Sequence, residues 1–206
     1  MTIILLFFFG FIFSFIGSIT PSMLNMTAIK VSLDKGRKAA NNYALGVSII
    51  VFIQVVVAVI LTKYILNNPT IIETLEKFGI VIFSFLSYYF YRESKKRKVN
   101  INTEKLKKEN AFLTGVILSV LNMFAIPFYS GTIVTLDIFK LFNYDFIPVM
   151  FFTLGSVIGT FYILFLYGKF AKIIQQKTGK LTKDINLVLS ILTGFVAIFT
   201  LLKFVF

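Results

Sequence analysis

Two asparagines in long apolar runs are the side chains of this sequence best suited to bind a polar ligand. Asn25 lies in residues 22–29 (SMLNMTAI) and Asn122 in residues 119–126 (SVLNMFAI), which match at six of eight positions, 97 residues apart. Because a carboxamide in lipid is costly unless it is hydrogen-bonded, each should face the interior of a helix bundle. The pair predicts either a site that binds a small substrate from two directions or hydrogen bonds that join helices.

Two prolines interrupt the same apolar runs. Pro21 follows Thr20 four residues before Asn25, and Pro127 comes five residues after Asn122. Proline removes one backbone hydrogen bond and suits the first turn of a helix, with threonine before it as an N-cap. Thr20 and Pro21 therefore predict either a new half-helix whose free N–H groups attract a carboxylate, or a kink in a continuous helix.

The other polar residues of these runs are lesser candidates. Tyr129, close to Pro127, is counted with the substrate-binding residues, and Gln54 is expected to be structural. Asp137 is the carboxylate nearest to a membrane interior, and it would couple protons if burial raised its pKa. Its position three residues before Lys140 favours the alternative, an interfacial ion pair.

The elements that carry these residues are predicted to be membrane-spanning helices. Hydrophobic residues make up 57% of the 206-residue chain and charged residues only 15%, against about 25% in a soluble domain. Six runs contain no charged residue: 2–29, 39–62, 78–91, 110–136, 146–168 and 185–202. A helix of about 20 apolar residues crosses a bilayer. We expect one all-α membrane domain, with spans near 3–29, 41–65, 71–91, 111–136, 147–168 and 186–205.

The absence of two residue types limits the chemistry. The chain has no cysteine and no histidine, so thiol redox chemistry, histidine-assisted nucleophilic catalysis and thiolate or imidazole metal sites are excluded. We predict no enzyme, no cofactor and no bound metal.

The basic residues predict the orientation in the membrane. Of the 21 Lys and Arg residues, 17 fall in three alternate stretches, within 30–38, 92–108 and 169–183. Basic loops stay in the cytoplasm, so both termini should face outward. This rule also explains the net charge of +12 without a nucleic-acid partner.

The repeated octapeptide predicts an internal duplication, with halves at about 1–91 and 111–206. Leu45-Gly46 and Leu154-Gly155 then fall near the start of the following span in each half, where glycine would allow close helix packing. Three spans per half make the halves inverted relative to each other, the architecture of many secondary transporters.

These features resemble the LysE/RhtB family of amino-acid exporters. The resemblance covers nearly the whole chain in length and layout, and its best local match runs through Pro21, through Gly36, Arg37 and Lys38, and through Leu45-Gly46. The chain departs from the family's Pro-Gly-Pro-like motif at Ser22 and Met23. It keeps only the asparagine of the Asn-Pro-Lys motif, as Asn122. The basic loop at Gly36 would otherwise be read simply as a topological signal.

The resemblance implies a secondary exporter of amino acids or related metabolites, driven by the proton motive force, in the inner membrane of a bacterium. Its partners would be the lipid bilayer, a small-molecule substrate and, for so short a chain, a second copy in a homodimer. The alternative is a non-transporting assembly or signalling protein built on a degenerate exporter fold, which the altered motifs favour.

Overall fold

The chain is almost entirely helical where its structure is described. The computed structural model describes residues 2–19, 22–68, 110–122 and 124–177, with helical residues at 81, 84–85, 87–89, 91–92, 190–191, 194–195, 198 and 201–202. The helices with continuous bounds are α1 (Thr2–Gly17), α2 (Met23–Lys35), α3 (Arg37–Leu66), α4 (Ala111–Val120), α5 (Ala125–Ile138), α6 (Phe146–Lys169) and α7 (Ala171–Lys177). These residues include no β-strand.

The chain divides into two compact units. The first contains Met1–Lys63 with Asn102–Gln176, and the second contains Tyr64–Ile101 with Lys177–Phe206. The first unit thus takes helices from both halves of the sequence. The single transmembrane domain over residues 1–206 stays a prediction.

The described helices include two long membrane-spanning candidates and one broken candidate. Helices α3 and α6, of 30 and 24 residues, are long and apolar enough to cross a bilayer. Helices α4 and α5 pass the same test together but are bent by 63° at a short break. The two predicted spans at 71–91 and 186–205 lie mostly outside the described residues, and the residues described there are helical.

The predicted first span and the loop after it differ from the structure. The run 3–29 is not one helix, because α1 ends at Gly17 and α2 begins at Met23. Helix α2 then continues to Lys35, so only Gly36 remains of the loop expected between 30 and 40. Gly36 has φ +85° and its N–H bonds the carbonyl of Ser32, which closes one helix and allows the next to begin at once.

The outer face of α3 is apolar, as a lipid-facing surface requires. Every third or fourth residue along one side is an exposed hydrophobic residue: Leu45, Ile49, Ile53, Val57, Ile60 and Tyr64. The opposite side is buried and carries the helix's polar groups, including Ser48, Gln54 and Thr62. A helix in lipid places its polar side chains inward in this way.

Helices α1 and α6 are in backbone contact at glycines. A Cβ built on Gly155 of α6 would overlap the carbonyl oxygen of Phe7, and one built on Gly10 of α1 would overlap that of Phe152. Gly159, one turn after Gly155, lies against the backbone of Phe11. Only glycine permits so close an approach.

Helices α3 and α4 make an equivalent crossing. A Cβ on Gly46 of α3 would overlap the carbonyl oxygen of Phe112, and one on Gly115 of α4 would overlap that of Tyr43. In both crossings each glycine meets the residue three positions before its partner glycine. The first helix of one half therefore packs against the long helix of the other half, in both directions.

Two serines join the described residues of the second unit. The Ser87 hydroxyl donates to the Ser190 carbonyl and the Ser190 hydroxyl donates to the Ser87 carbonyl, both at 2.9 Å. Gly194 lies beside this pair, where a Cβ would be 2.9 Å from the Ser87 Oγ. The reciprocal bonds link the third run of one half to the third run of the other.

Candidate functional site

The break between α1 and α2 has side-chain partners for its exposed backbone groups. The Asn25 Nδ2 donates to the Ser18 carbonyl at 2.7 Å, and the Tyr167 hydroxyl donates to the Ile19 carbonyl at 2.7 Å. At the start of α2 the Ser22 hydroxyl accepts from the Asn25 N–H at 3.4 Å. Both sides of this break are therefore capped, as unpaired helix ends in lipid would be costly.

Asn25 is almost fully buried at this break, with 1% of its surface exposed. Its side chain is also a hydrogen-bonding neighbour of the Tyr167 hydroxyl. These contacts are what an asparagine that joins helices would make, the alternative to substrate binding for this residue. Thr20 and Pro21, the other candidates of this break, lie outside the described residues.

The break between α4 and α5 is held from α3. The Gln54 Nε2 donates to the Ser119 carbonyl at 2.9 Å and lies 3.5 Å from the Asn122 carbonyl. Gln54 therefore adds a side-chain bond at the C-terminal end of α4, where the Asn122 N–H also bonds the Ser119 carbonyl at 3.0 Å. Its own Oε1 is buried without a hydrogen-bond partner in the described part of the chain. The amide nitrogen of Gln54 thus serves a structural role, whereas its amide oxygen bonds none of the described residues.

The start of α5 at the same break carries no side-chain cap from the described residues. Asn122 lies in the turn before it, half-buried, and its carbonyl accepts from the Ala125 N–H at 3.3 Å. Pro127 is the third residue of α5, in the first turn, where a missing N–H breaks no helical bond. The chain is thus interrupted before Pro127 and not at it.

Helix α4, before the second break, is too short to cross a bilayer by itself. The ten residues of α4 rise about 15 Å at about 1.5 Å per residue. That is about half of a hydrocarbon core of about 30 Å. Uncapped helix ends near the midplane are the sites that broken-helix transporters use.

Three hydroxyls join α1, α5 and α6 next to this break. The Ser14 Oγ is 3.0 Å from the Tyr129 hydroxyl and 2.6 Å from the Thr160 Oγ1, and the last two are 3.4 Å apart. All three residues are buried. Tyr129 was a candidate from the sequence, whereas Ser14 and Thr160 were not.

The remaining predicted residues lie apart from the two breaks. Gly46 and Gly155 are at the two backbone crossings. Gly36 joins α2 to α3, and Arg37 and Lys38 form the exposed first turn of α3. None of these three residues contributes to the polar groups described above.

Asp137 lies near the C-terminal end of α5, and it is partly exposed. Its electrostatic neighbour is Tyr144, in the connection to α6, and the Lys63 Nζ lies 6.0 Å from the centre of the Tyr144 ring. Burial, and then the Asp137 charge, raise the pKa of Tyr144 to about 12. The structure therefore places Asp137 in a cluster at the end of α5, away from the uncapped start of that helix.

The described residues bring no metal-binding cluster together, and a cavity among them lies away from the two breaks. Among the described residues, no group of three or more His, Cys, Asp or Glu side chains could hold a metal ion. A cavity of about 540 Å³ lies where the N-terminal ends of α1 and α6 meet, and Leu6, Asn143 and Phe146 are among its lining residues. This cavity is not at either break.

The described helices are those of a multi-pass helical membrane protein with interrupted helices. Comparison with known families identifies the family. The family model described as LysE type translocator matches residues 15–203. The chain belongs to the LysE type translocator family and is therefore a membrane transport protein of the exporter type. No curated protein and no solved structure gave a significant match.

Proposed function

We propose that this protein exports amino acids or closely related metabolites across the bacterial cytoplasmic membrane, driven by the proton motive force. The observation that carries the proposal is the break between α4 and α5. It combines a helix start with no side-chain cap from the described residues, a half-buried Asn122 and a buried amide oxygen on Gln54. Groups of this kind bind polar substrates in broken-helix transporters.

Asn122 and the first turn of α5, with Pro127, form the proposed substrate site. Asn122 adjoins the uncapped helix start, and Pro127 keeps the helix from extending back through the break. Asn25 keeps its predicted substrate role only as the weaker alternative, since its amide already bonds the Ser18 carbonyl. The same holds for Thr20 and Pro21 beside it.

Tyr129 is proposed to act with Ser14 and Thr160 as a closed gate. Its hydroxyl holds α5 against α1 and α6 only about one turn after the helix start. Separation of α5 from these helices would break hydroxyl bonds that each contribute modestly in a membrane, about 0.6 kcal/mol on average. The contacts are thus strong enough to define a closed state and weak enough to open.

The proposed arrangement has six spans in two inverted halves, with both termini outside. The reciprocal glycine crossings support the duplication, because they relate α1 and α6 to α4 and α3 by exchange of the halves. The distribution of basic residues supports the orientation. A homodimer is part of the proposal, and light scattering of the purified protein would test it.

Transport assays in proteoliposomes test the function. Vesicles are loaded with a panel of the common L-amino acids, and efflux is followed with and without an imposed proton gradient. Efflux of one or more amino acids, accelerated by the gradient and abolished by a protonophore, is expected. Movement that ignores the gradient would remove proton coupling, and no movement of any amino acid would favour a non-transporting role.

Single introduced cysteines test the orientation, because the chain has none of its own. A membrane-impermeant maleimide should label Asn143→Cys in intact cells, and Lys38→Cys only after the cells are permeabilised. Both residues are exposed in the described structure, so reagent access is comparable. Labelling of Lys38→Cys in intact cells would reverse the orientation.

A further inference from the structure

We infer that an anionic phospholipid binds where the ends of α2 and α6 meet the start of α3, with its phosphate among four exposed basic side chains. These side chains form the basic junction, which consists of Arg37, Lys38, Lys169 and Lys172. The inference goes beyond the proposed export and does not depend on the substrate. It gives a binding role to basic residues that sequence analysis explained by orientation alone.

Gly168 is the point at which these three helices meet. The Ser32 hydroxyl of α2 donates to the Gly168 carbonyl of α6 at 2.6 Å. A Cβ built on Gly168 would lie 3.0 Å from the Ala40 Cβ of α3 and 4.0 Å from the Ser32 Cβ. The last turn of α2, the first turn of α3 and the last turn of α6 are therefore in direct contact.

Positive charge is concentrated around this contact. Residues 30–38 contain four basic residues and residues 169–172 contain two, against the single carboxylate of Asp34. All four side chains of the basic junction are exposed, and each belongs to a residue within one helical turn of Gly168 or Ala40 along its own helix. Long basic side chains placed in this way can converge on one phosphate, which accepts charge-assisted hydrogen bonds from both lysine and arginine.

Exposed apolar side chains beside the lysines indicate that the anion belongs to a lipid. Phe170 is 42% exposed and Ile173 is 55% exposed, and the Lys169 Nζ lies 5.3 Å from the centre of the Phe170 ring. On the other side of α7, Ala171 is buried and Ile174 packs against the core. A surface that alternates apolar and basic side chains suits the boundary between acyl chains and head groups, where lysine extends toward the phosphates.

The opposite ends of the helices provide the internal comparison. There Lys63 lies over the Tyr144 ring, which Asp137 also approaches, and Lys140 follows Asp137 by three residues. Acidic and basic residues are therefore mixed at that end, whereas basic residues predominate at the basic junction. Orientation requires positive charge on one side of the membrane but no convergence of helix ends. Basic pockets between helix ends on the cytoplasmic side bind the head groups of anionic lipids.

The first experiment offers three ligands to the native protein, purified in a neutral detergent: phosphatidylglycerol, phosphatidylcholine and the soluble anion glycerol 3-phosphate. The melting temperature is measured at increasing concentrations of each ligand, because a ligand that binds the folded state raises it. Phosphatidylglycerol should raise the melting temperature, and added salt should weaken this effect by screening the charges. Phosphatidylcholine and glycerol 3-phosphate should have little effect at the same concentrations, since the first lacks net charge and the second lacks acyl chains.

Paired substitutions locate the site. Lys169→Gln with Lys172→Gln removes two charges and should weaken phosphatidylglycerol binding about 25-fold, at about fivefold for each basic side chain near an anionic lipid. Lys169→Arg with Lys172→Arg keeps the charges and should retain the affinity. The matched control, Lys63→Gln with Lys140→Gln, removes two charges from exposed residues at the opposite ends and should bind like the native protein. Melting temperatures without lipid identify any variant that is destabilised by itself.

Four results would overturn the inference. Equal stabilisation by phosphatidylcholine would show that charge plays no part, and equal stabilisation by glycerol 3-phosphate would show that the site binds soluble anions and not lipid. The same loss of affinity in the control pair would indicate attraction to the whole protein and no defined site. Unchanged affinity after both lysines of the basic junction are replaced by glutamine would show that the lipid binds elsewhere.

Discussion

The two helix breaks of this protein are alike in how the carbonyls before them are bonded, but they differ in how the following helix begins. Each divides an apolar run into two helices, and each leaves backbone carbonyls that a side chain of the other half's long helix satisfies. Tyr167 of α6 does so for the break after α1, and Gln54 of α3 does so for the break after α4. At the first break the next helix is also capped, by Ser22, whereas at the second no described side chain caps it.

The difference separates a structural interruption from one that can take part in binding. A break whose groups are paired within the protein has little to offer a ligand, and opening it would leave buried polar groups unpaired. A break with a buried acceptor that bonds none of the described residues, as Gln54 Oε1 is at the second break, is less stable without a ligand and gains more from binding one. A duplication within the chain therefore need not mean two equivalent sites, and the repeated Asn25 and Asn122 need not have equal roles.

The largest expected effect comes from the glycine crossings, which are equivalent in the two halves. Gly46→Leu and Gly155→Leu should each cost about 3 kcal/mol or more, because the new side chain meets backbone that cannot move alone. The measurement is the yield and thermal stability of monodisperse protein in detergent. Gly131→Ala is the control, since a Cβ there meets nothing within 4 Å, and it should stabilise α5 slightly.

A large difference in thermal stability between the two leucine variants would show that the two crossings are not equivalent. If Gly46→Leu were tolerated while Gly155→Leu was not, the α3–α4 crossing would be looser than the contacts of Gly46 and Gly115 indicate. The two halves would then share the order of their helices but not the way in which those helices pack.

The two asparagines should respond in opposite ways. Asn25→Leu removes the partner of the partly buried Ser18 carbonyl and should lower the unfolding free energy by about 1–3 kcal/mol, with export per folded protein retained. Asn122→Leu should change stability by less than about 0.5 kcal/mol and lower export about ten- to hundredfold. Thermal unfolding and vesicle efflux, measured on the same preparations, separate the two effects.

The result for Asn25 decides between two forms of the site. Lost export at unchanged stability in Asn25→Leu would restore a symmetric pair that binds substrate from both breaks. Normal export in Asn122→Leu would remove the proposed site instead, and the first break with Tyr129 would become the better candidate.

The ends of the two helices that follow the breaks differ in residue type. Helix α2 ends at Lys35 and is followed by Gly36, with φ +85° and ψ +169°, a conformation that is essentially restricted to glycine. Gly36→Ala should therefore cost about 1–3 kcal/mol, although the added Cβ meets nothing within 4 Å. An unchanged melting temperature would show that the α2–α3 joint can adopt another conformation without loss.

The smallest expected effect is at the corresponding end of α5. Lys140 there has φ +56°, the left-handed region, and its N–H bonds the Asp137 carbonyl at 2.8 Å. Lys140→Gly should stabilise the protein by about 1 kcal/mol, because glycine adopts this conformation without steric cost. The check is a higher melting temperature, with Lys169→Gly, at the helical end of α6, as a control that should not stabilise.

The sequence predicts the long helices well and the break positions less well. The uncharged runs predict 41–65 and 147–168, and the helices α3 and α6 differ from these bounds by a few residues. The second break is less readable, because a proline marks the first turn of a helix without saying which residue before it begins that turn. Pro127 is the third residue of α5, so the interruption falls before it, next to Asn122.

The partners of the buried hydroxyls are not readable from sequence at all. Several serines and threonines of these helices bond the carbonyl four residues earlier, as Thr27, Thr132, Thr153 and Ser156 do. Ser14 and Thr160 instead reach other helices, yet their sequence surroundings are equally apolar. The difference depends on which face the backbone crossings turn inward, and that is a property of the packed bundle.

The bonds of Ser14 have a consequence for how the chain is made. Its partners Tyr129 and Thr160 follow it by 115 and 146 residues. At a synthesis rate of about 5–20 residues per second, Thr160 leaves the ribosome roughly 7–30 s after Ser14. The first helix must therefore wait in the bilayer, with its glycine face uncovered, until most of the protein has been translated. The contacts of Ser14 can therefore form only after α1 has been inserted into the membrane. A nascent chain that stopped midway would leave the glycine face of α1 accessible to membrane proteases.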